Sequence, residues 1–194
     1  MGVQVTNLNP QEQARTRRNL WILLKNRVMP SVRISKEFTS GMYYLTFTVK
    51  HWYYLFDRHN RFEILADSLQ YCQKHKGLKL YAYVFMLNHI HLIASSPDMI
   101  AFVRDFKKFT SKEIQKNIIA TEPNVLKLFE MGNGRFEFWE KTNMPKMIKG
   151  EHYLIQKTNY IHANPVRKQY VKSPEDWVWS SANTEGKINV DSVV

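Results

Sequence analysis

Three things are scarce in this chain, and each scarcity narrows what it can be. Cysteine occurs once, at Cys72. A lone thiol closes no intramolecular disulfide and argues against a cysteine-built zinc site, which fits a reducing compartment. Long apolar runs are missing: none approaches the roughly 20 residues of a membrane-spanning helix, and the first residues lack the pattern of a secretory signal. Acidic residues are outnumbered, with 17 Asp+Glu against 28 Lys+Arg, a formal net charge of +11 and a pI near 9.7. That balance points to a polyanionic partner, most often nucleic acid, although a basic protein without such a partner has the same composition. Internal repeats and low-complexity segments are also absent.

What is present is core-forming. Hydrophobic residues make up 44% of the 194 positions and aromatics 13%, enough for one packed domain, with or without an extension. Asn9-Pro10-Gln11-Glu12 reads as a helix start, with Asn as N-cap and Pro in the first turn. That helix would run to about Val28 and carry Arg15, Arg17, Arg18, Lys25 and Arg27 as a basic accessory arm. Met42 to Val49 is aromatic and β-branched and reads as a strand. Apolar positions at Phe62, Leu65, Leu69 and Cys72 have helical spacing, with Gly77 as the stop. Leu78 to Met86 and His89 to Ser95 read as two further strands around a Leu87-Asn88 turn. Asp98 then caps a helix to about Asn117. Residues 118–135 read as a loop, Phe136 to Trp139 as a short fourth strand, and the stretch holding Lys141, Lys146 and Lys149 as flexible. A last helix runs from about Gly150 to Asn164, ended with help from Pro165. Trp177 and Trp179 should pack back onto the domain, and residues 183–194 should fray. This order predicts a ferredoxin-like α+β sheet, antiparallel, with helices on one face and the last helix added to it.

Chemistry concentrates in three places. In Asn88-His89-Ile90-His91-Leu92 the two histidines share one strand face while Ile90 takes the other. Imidazoles about 7 Å apart along a strand can share a metal ion, or can be ordinary strand histidines satisfied by hydrogen bonds. In the Asp98 helix, Met99, Phe102, Val103, Phe106, Phe109 and Ile114 form an apolar, core-facing stripe. Arg104, Lys108, Lys112 and Lys116 recur every four residues on another face, with Lys107 beside them. Like charges at that spacing cost a helix roughly 0.2–0.5 kcal/mol per pair, a cost that a phosphate backbone would offset; a solvated basic face is the alternative. In the last helix, Tyr153, Lys157, Tyr160 and Asn164 fall on one face. There a tyrosine can act as nucleophile, a lysine can stabilise phenolate or phosphate charge, and an amide oxygen can bind a hard cation. A packed aromatic and a helix-ending Asn are the other reading.

Taken in order, Asn88-His89-Ile90-His91-Leu92, Phe106-Lys107-Lys108-Phe109-Thr110-Ser111, Tyr160-Ile161-His162-Ala163-Asn164-Pro165-Val166 and Asp176-Trp177-Val178-Trp179-Ser180-Ser181 resemble the HUH single-tyrosine transposases. The likeness is strongest to their REP-associated tyrosine transposase branch and covers roughly residues 42–182. The resemblance implies a ferredoxin-like domain that nicks and joins single-stranded DNA carrying hairpins or palindromic repeats. His89, His91 and Asn164 match the ligands of a divalent cation, Mg²⁺ or Mn²⁺. Tyr160 matches the nucleophile, which forms a 5′-phosphotyrosine and frees a 3′-hydroxyl. Arg104, Lys107, Lys108, Lys112, Lys116 and Lys157 are the candidate DNA contacts. His162, two residues from Tyr160, should point away and is not counted as a ligand. Leu87 stands where the family usually has proline, which alters the turn and no ligand. Residues 1–40 match no pattern and form a basic extension, 41–182 the transposase domain, and 183–194 a flexible tail. The resemblance further implies a cytoplasmic, nucleoid-associated protein with no membrane partner, and it leaves both monomer and homodimer open. A DNA-binding protein that kept the scaffold and lost activity, and a phosphodiesterase using water in place of tyrosine, are the two alternative functions.

Overall fold

Alternation along the strands decides the architecture. The computed structural model describes residues 34–193, so the expected helix at 9–28 lies outside the described residues. Among these, β1 (Tyr43–Thr48), β2 (Lys79–Phe85), β3 (His89–Ser95) and β4 (Lys146–Met147) form one sheet in the order β2-β3-β1-β4, with antiparallel pairing throughout. Two helices connect the strands: α1 (Arg61–Lys76) between β1 and β2, and α2 (Met99–Thr121) between β3 and β4. The result is the expected ferredoxin-like α+β fold.

One sheet face carries Leu45 and Phe47 of β1, Leu80, Tyr83 and Phe85 of β2, and Ile90, Leu92 and Ala94 of β3. It packs on Phe62, Leu65 and Leu69 of α1 and on Phe102, Phe106 and Ile114 of α2. Period two on the strands meets period 3.6 on the helices, and both bury their apolar side. The other face carries Tyr44, Ala82, Val84 and Ile93, and packs on α3 (Glu151–His162) through Ile161 and Leu154. A register shift between Leu80 and Ala82 lets Leu80 and Tyr83 share one face despite their odd spacing.

The helix ends follow their caps. Asp98 accepts hydrogen bonds from the Ile100 and Ala101 amides, which starts α2. Gly77 closes α1 at φ 64°, a conformation open to glycine without strain; a Cβ there would also sit 3.2 Å from Pro97.

Several expectations are corrected. Phe136 to Trp139 is not a strand: it makes only isolated bridges, Trp139 with Val49 and Phe136 with Glu130. The fourth strand is Lys146–Met147, inside the stretch read as flexible, because Tyr43 and Tyr44 of β1 pair there. The α2 helix runs past Asn117 to Thr121, and a 3₁₀ segment (Pro123–Phe129) follows, burying Phe129. Phe109 is not core; it is 51% exposed. The last long helix breaks at Ala163, and Asn164 opens a separate turn, α4 (Asn164–Arg167), with Pro165 inside it. Much of the C-terminal tail, as far as Asp191, is hydrogen-bonded back onto the domain. Trp177 Nε1 donates to Phe85 O and Phe85 N to Trp179 O, both at 2.8 Å, so the tail runs along the free edge of β2. Ile188 is buried, and Asp191 exchanges hydrogen bonds with Leu80.

Candidate active site

His89 and His91 lie on the α3 face of β3, their ring centroids 4.8 Å apart. Each has one ring nitrogen already engaged. The Trp52 carbonyl can only accept, so it takes the Asn88 Nδ2 proton at 2.7 Å and turns Asn88 Oδ1 toward His89. That oxygen lies 2.7 Å from His89 Nδ1 and only accepts, which places the His89 proton on Nδ1. His91 Nδ1 lies 2.9 Å from both Tyr44 OH and Thr46 Oγ1. Thr46 is the residue directly across from His91 in β1; its hydroxyl donates to Tyr44, so His91 Nδ1 either donates to the Thr46 oxygen or accepts from the Tyr44 hydroxyl. His89 therefore keeps an Nε2 lone pair for a ligand, and His91 keeps one in the tautomer that donates from Nδ1 to Thr46. Both are neutral near pH 7. Burial, with help from Lys168, lowers His89 to about 4. Burial, then His89, Arg167 and Lys157, holds His91 well below the usual histidine range.

Tyr160 meets this pair from α3. Its ring packs edge-on against His91 at 5.7 Å and Tyr44 at 6.1 Å, and it remains 39% exposed. Two cations lie over it: the Arg167 guanidinium at 4.2 Å and Lys157 Nζ at 5.4 Å from the ring centroid. Lys157 also lies over Tyr44 and Tyr153, each at 5.2 Å, so the helix face read from the sequence is real. Asn164 is buried, and its Nδ2 donates to Tyr160 O at 2.8 Å, as an Arg167 nitrogen does at 3.0 Å. No described residue donates to Asn164 Oδ1. Burial raises Tyr44 to about 12, with smaller opposing contributions from its neighbours, so it stays protonated. His162 turns away to Ser181, 2.9 Å from its Oγ.

Two comparisons and a family model address what this site belongs to. The model described as "Transposase IS200 like" matches residues 37–164. The chain belongs to this family. It is similar to a protein described as a REP-associated tyrosine transposase of Haemophilus influenzae, 27% identical over 165 residues, spanning 80% of this chain and 88% of that one. It is also similar to the solved structure titled as the REP-associated tyrosine transposase bound to a REP hairpin, with TM-score 0.60 and 17% identity over 79% of this chain and 82% of that one. At that identity the likeness supports the fold.

The family's pair-plus-tyrosine pattern was legible; its supports were not. Tyr44, Thr46 and Arg167 carry no motif of their own, and Asn88 opens the histidine motif without its sequence saying what its side chain does. Arg167 alone had a readable signal, seven residues after Tyr160 and so on the same helical side. The expected basic set divides. Lys157 is at the site. Arg104, Lys108, Lys112 and Lys116 ride on α2, which packs on the opposite sheet face, and two of them are paired, Arg104 with Asp105 and Lys116 with Glu113. Lys107 Nζ is drawn in to Glu140 O at 2.6 Å, and burial lowers it to about 8.

Among the described residues no three His, Cys, Asp or Glu side chains gather as a metal cage. His89 and His91 offer ring nitrogens, and Asn164 an amide oxygen to which no described residue donates, which are the donor types of a two-imidazole, one-amide set. Such a mixed N,O set suits Mn²⁺ and is less favourable for Mg²⁺, which prefers oxygen.

Proposed function

We propose that the chain cleaves and rejoins single-stranded, hairpin-bearing DNA with Tyr160 as nucleophile. The observation that carries this is the position of Tyr160: a half-exposed phenol packed on His91, with Arg167 and Lys157 over its ring. A buried structural tyrosine has no use for two cations on its ring and an open hydroxyl.

In the proposed step the Tyr160 oxygen gives up its proton and attacks phosphorus. The bond to the 3′ oxygen breaks as the Tyr160–phosphorus bond forms, and the departing oxygen takes up a proton as a free 3′-hydroxyl. The product is a 5′-phosphotyrosine. Attack by another 3′-hydroxyl reverses the exchange, one phosphodiester for another, so no external energy source is required. Arg167 and Lys157 favour the negative charge that develops on the phenol and on the phosphate. His89, His91 and Asn164 would hold a divalent cation, which supplies Lewis-acid polarisation of the scissile phosphate. Asn88, Thr46 and Tyr44 keep both rings turned with Nε2 outward. The similarity to proteins described as REP-associated tyrosine transposases, one of them bound to a REP hairpin, supports a hairpin substrate.

The test is a denaturing gel of protein incubated with labelled hairpin DNA and Mn²⁺. A covalent adduct in the wild type that is missing in Tyr160→Phe supports the reading. Nicking without any adduct would assign a water-using phosphodiesterase, and binding with neither would assign an inactive DNA-binding protein.

A further inference from the structure

Trp52 is the most exposed large hydrophobic side chain among the described residues, at 62%. It sits between β1 and α1, in a turn where His51 and Trp52 both take left-handed backbone angles, φ 60° and 56°. A bulky aromatic in that region is strained, and it stays there only when its surroundings hold it. The hold is visible: Trp52 N donates to Val49 O at 3.1 Å, and Trp52 O accepts from Asn88 Nδ2 at 2.7 Å. The same carboxamide orients His89 through its oxygen. The Trp52 ring meets the His89 ring at 5.8 Å, edge to face. A rigid backbone therefore presents an indole to solvent directly beside the histidine pair, on the His89 side, whereas Tyr160 packs on the His91 side.

We propose that Trp52 is a stacking platform for a base of the nucleotide next to the phosphate held at the histidines. Every base has a π-face, so such a platform binds single strands with little sequence preference. It cannot bind a paired base inside a duplex without unstacking it, so it selects for single-stranded DNA beside the hairpin. The proposal rests on the reading of the His89–His91–Tyr160 site as the place where the strand lies.

The test uses two probes of equal length and charge that need not be cut: oligothymidylate and an abasic oligomer with the same backbone. Binding is followed by anisotropy and by quenching of tryptophan fluorescence. Wild type should hold oligothymidylate more tightly than the abasic strand. Trp52→Ala should weaken oligothymidylate about tenfold and leave the abasic strand unchanged, as loss of one stacked base requires. Trp52→Phe should restore most of the affinity and lose part of the quenching. An equal loss on both probes, or no loss on either, would overturn the assignment. So would unchanged DNA binding accompanied by loss of self-association, which would make Trp52 a protein contact. Base-dependent binding through Trp52 in a protein that forms no covalent adduct would leave this proposal standing and sink the nucleophile assignment alone.

Discussion

Tyr160→Phe removes one oxygen from a residue that is partly open to solvent, so packing around Tyr44 and His91 should barely change. The expected result is a protein with an unchanged melting temperature that still binds hairpin DNA and forms no covalent adduct. Adduct formation by the variant would transfer the role to another tyrosine, Tyr153 being the neighbour that shares Lys157. Arg167→Ala should slow adduct formation on the order of 100-fold, comparable to losing one charge-stabilising donor, with DNA affinity less affected; equal loss of both would make it a binding residue. Asn88 is the other informative position. Its carboxamide fixes the His89 tautomer, so Asn88→Ala should weaken Mn²⁺ binding by about 10- to 100-fold in calorimetry. A variant with wild-type metal affinity would remove His89 from the ligand set or show that its orientation is set elsewhere.

The basic stripe and the site sit on different elements, which gives a contrast at the level of the helix. Lys157 belongs to α3 and faces the tyrosines, whereas Lys108 belongs to α2 across the sheet. Each phosphate contact contributes about 0.7–0.9 to the slope of log affinity against log salt. Lys157→Ala should flatten that slope by nearly one unit, and Lys108→Ala should leave it as it is. The reverse result in a salt titration would route the DNA over α2. Helical periodicity groups residues on one side of α2, but it does not say which face of the sheet that helix covers.

For the whole domain, a charge cluster ties the start of α1 to the end of α2. The Arg61 side chain is 0% exposed and donates to Leu55 O, Asn117 Oδ1, Thr121 Oγ1 and Glu122 Oε1. Arg58 grips the same carboxylate at 2.9 Å. Burial pushes the Glu122 carboxyl up, but the two guanidinium groups outweigh it and hold it at about 2 against an ordinary 4.5. A carboxyl held below its unfolded value stabilises the fold above pH 4.5 and loses that contribution as pH falls from there toward 2. Glu122→Ala strands a buried guanidinium and should cost about 3 kcal/mol in denaturant unfolding near pH 7, with the difference from wild type shrinking in acid. A variant as stable as wild type would mean that water or Asn117 satisfies Arg61 alone.

Local pattern was enough for β1 to β3, for α1 and α2, and for the pairing of His89 with His91 on one strand face, because strand and helix periods are properties of neighbouring residues. The four-residue and three-residue steps from Tyr153 to Asn164 set the tyrosine face in the same way. Phe136 to Trp139 misled because aromatic content marks burial as readily as strand. The true fourth strand, Lys146–Met147, is polar and short, and is a strand only because β1 offers its edge there. Fraying was expected of residues 183–194 because the partners of residues 187–191, namely Gln70, Gln73, Leu80 and Tyr83, lie more than a hundred positions upstream. The supports of the site are of the same kind. Thr46 meets His91 through cross-strand register, and Asn88, in the turn before β3, reaches the carbonyl of Trp52, which lies 36 positions upstream. Sequence alone supplied the residues proposed to carry the chemistry, since those must be particular side chains at particular local spacings; the groups that aim them were decided by the tertiary structure, since hydrogen bonds across a sheet depend on which strands become neighbours.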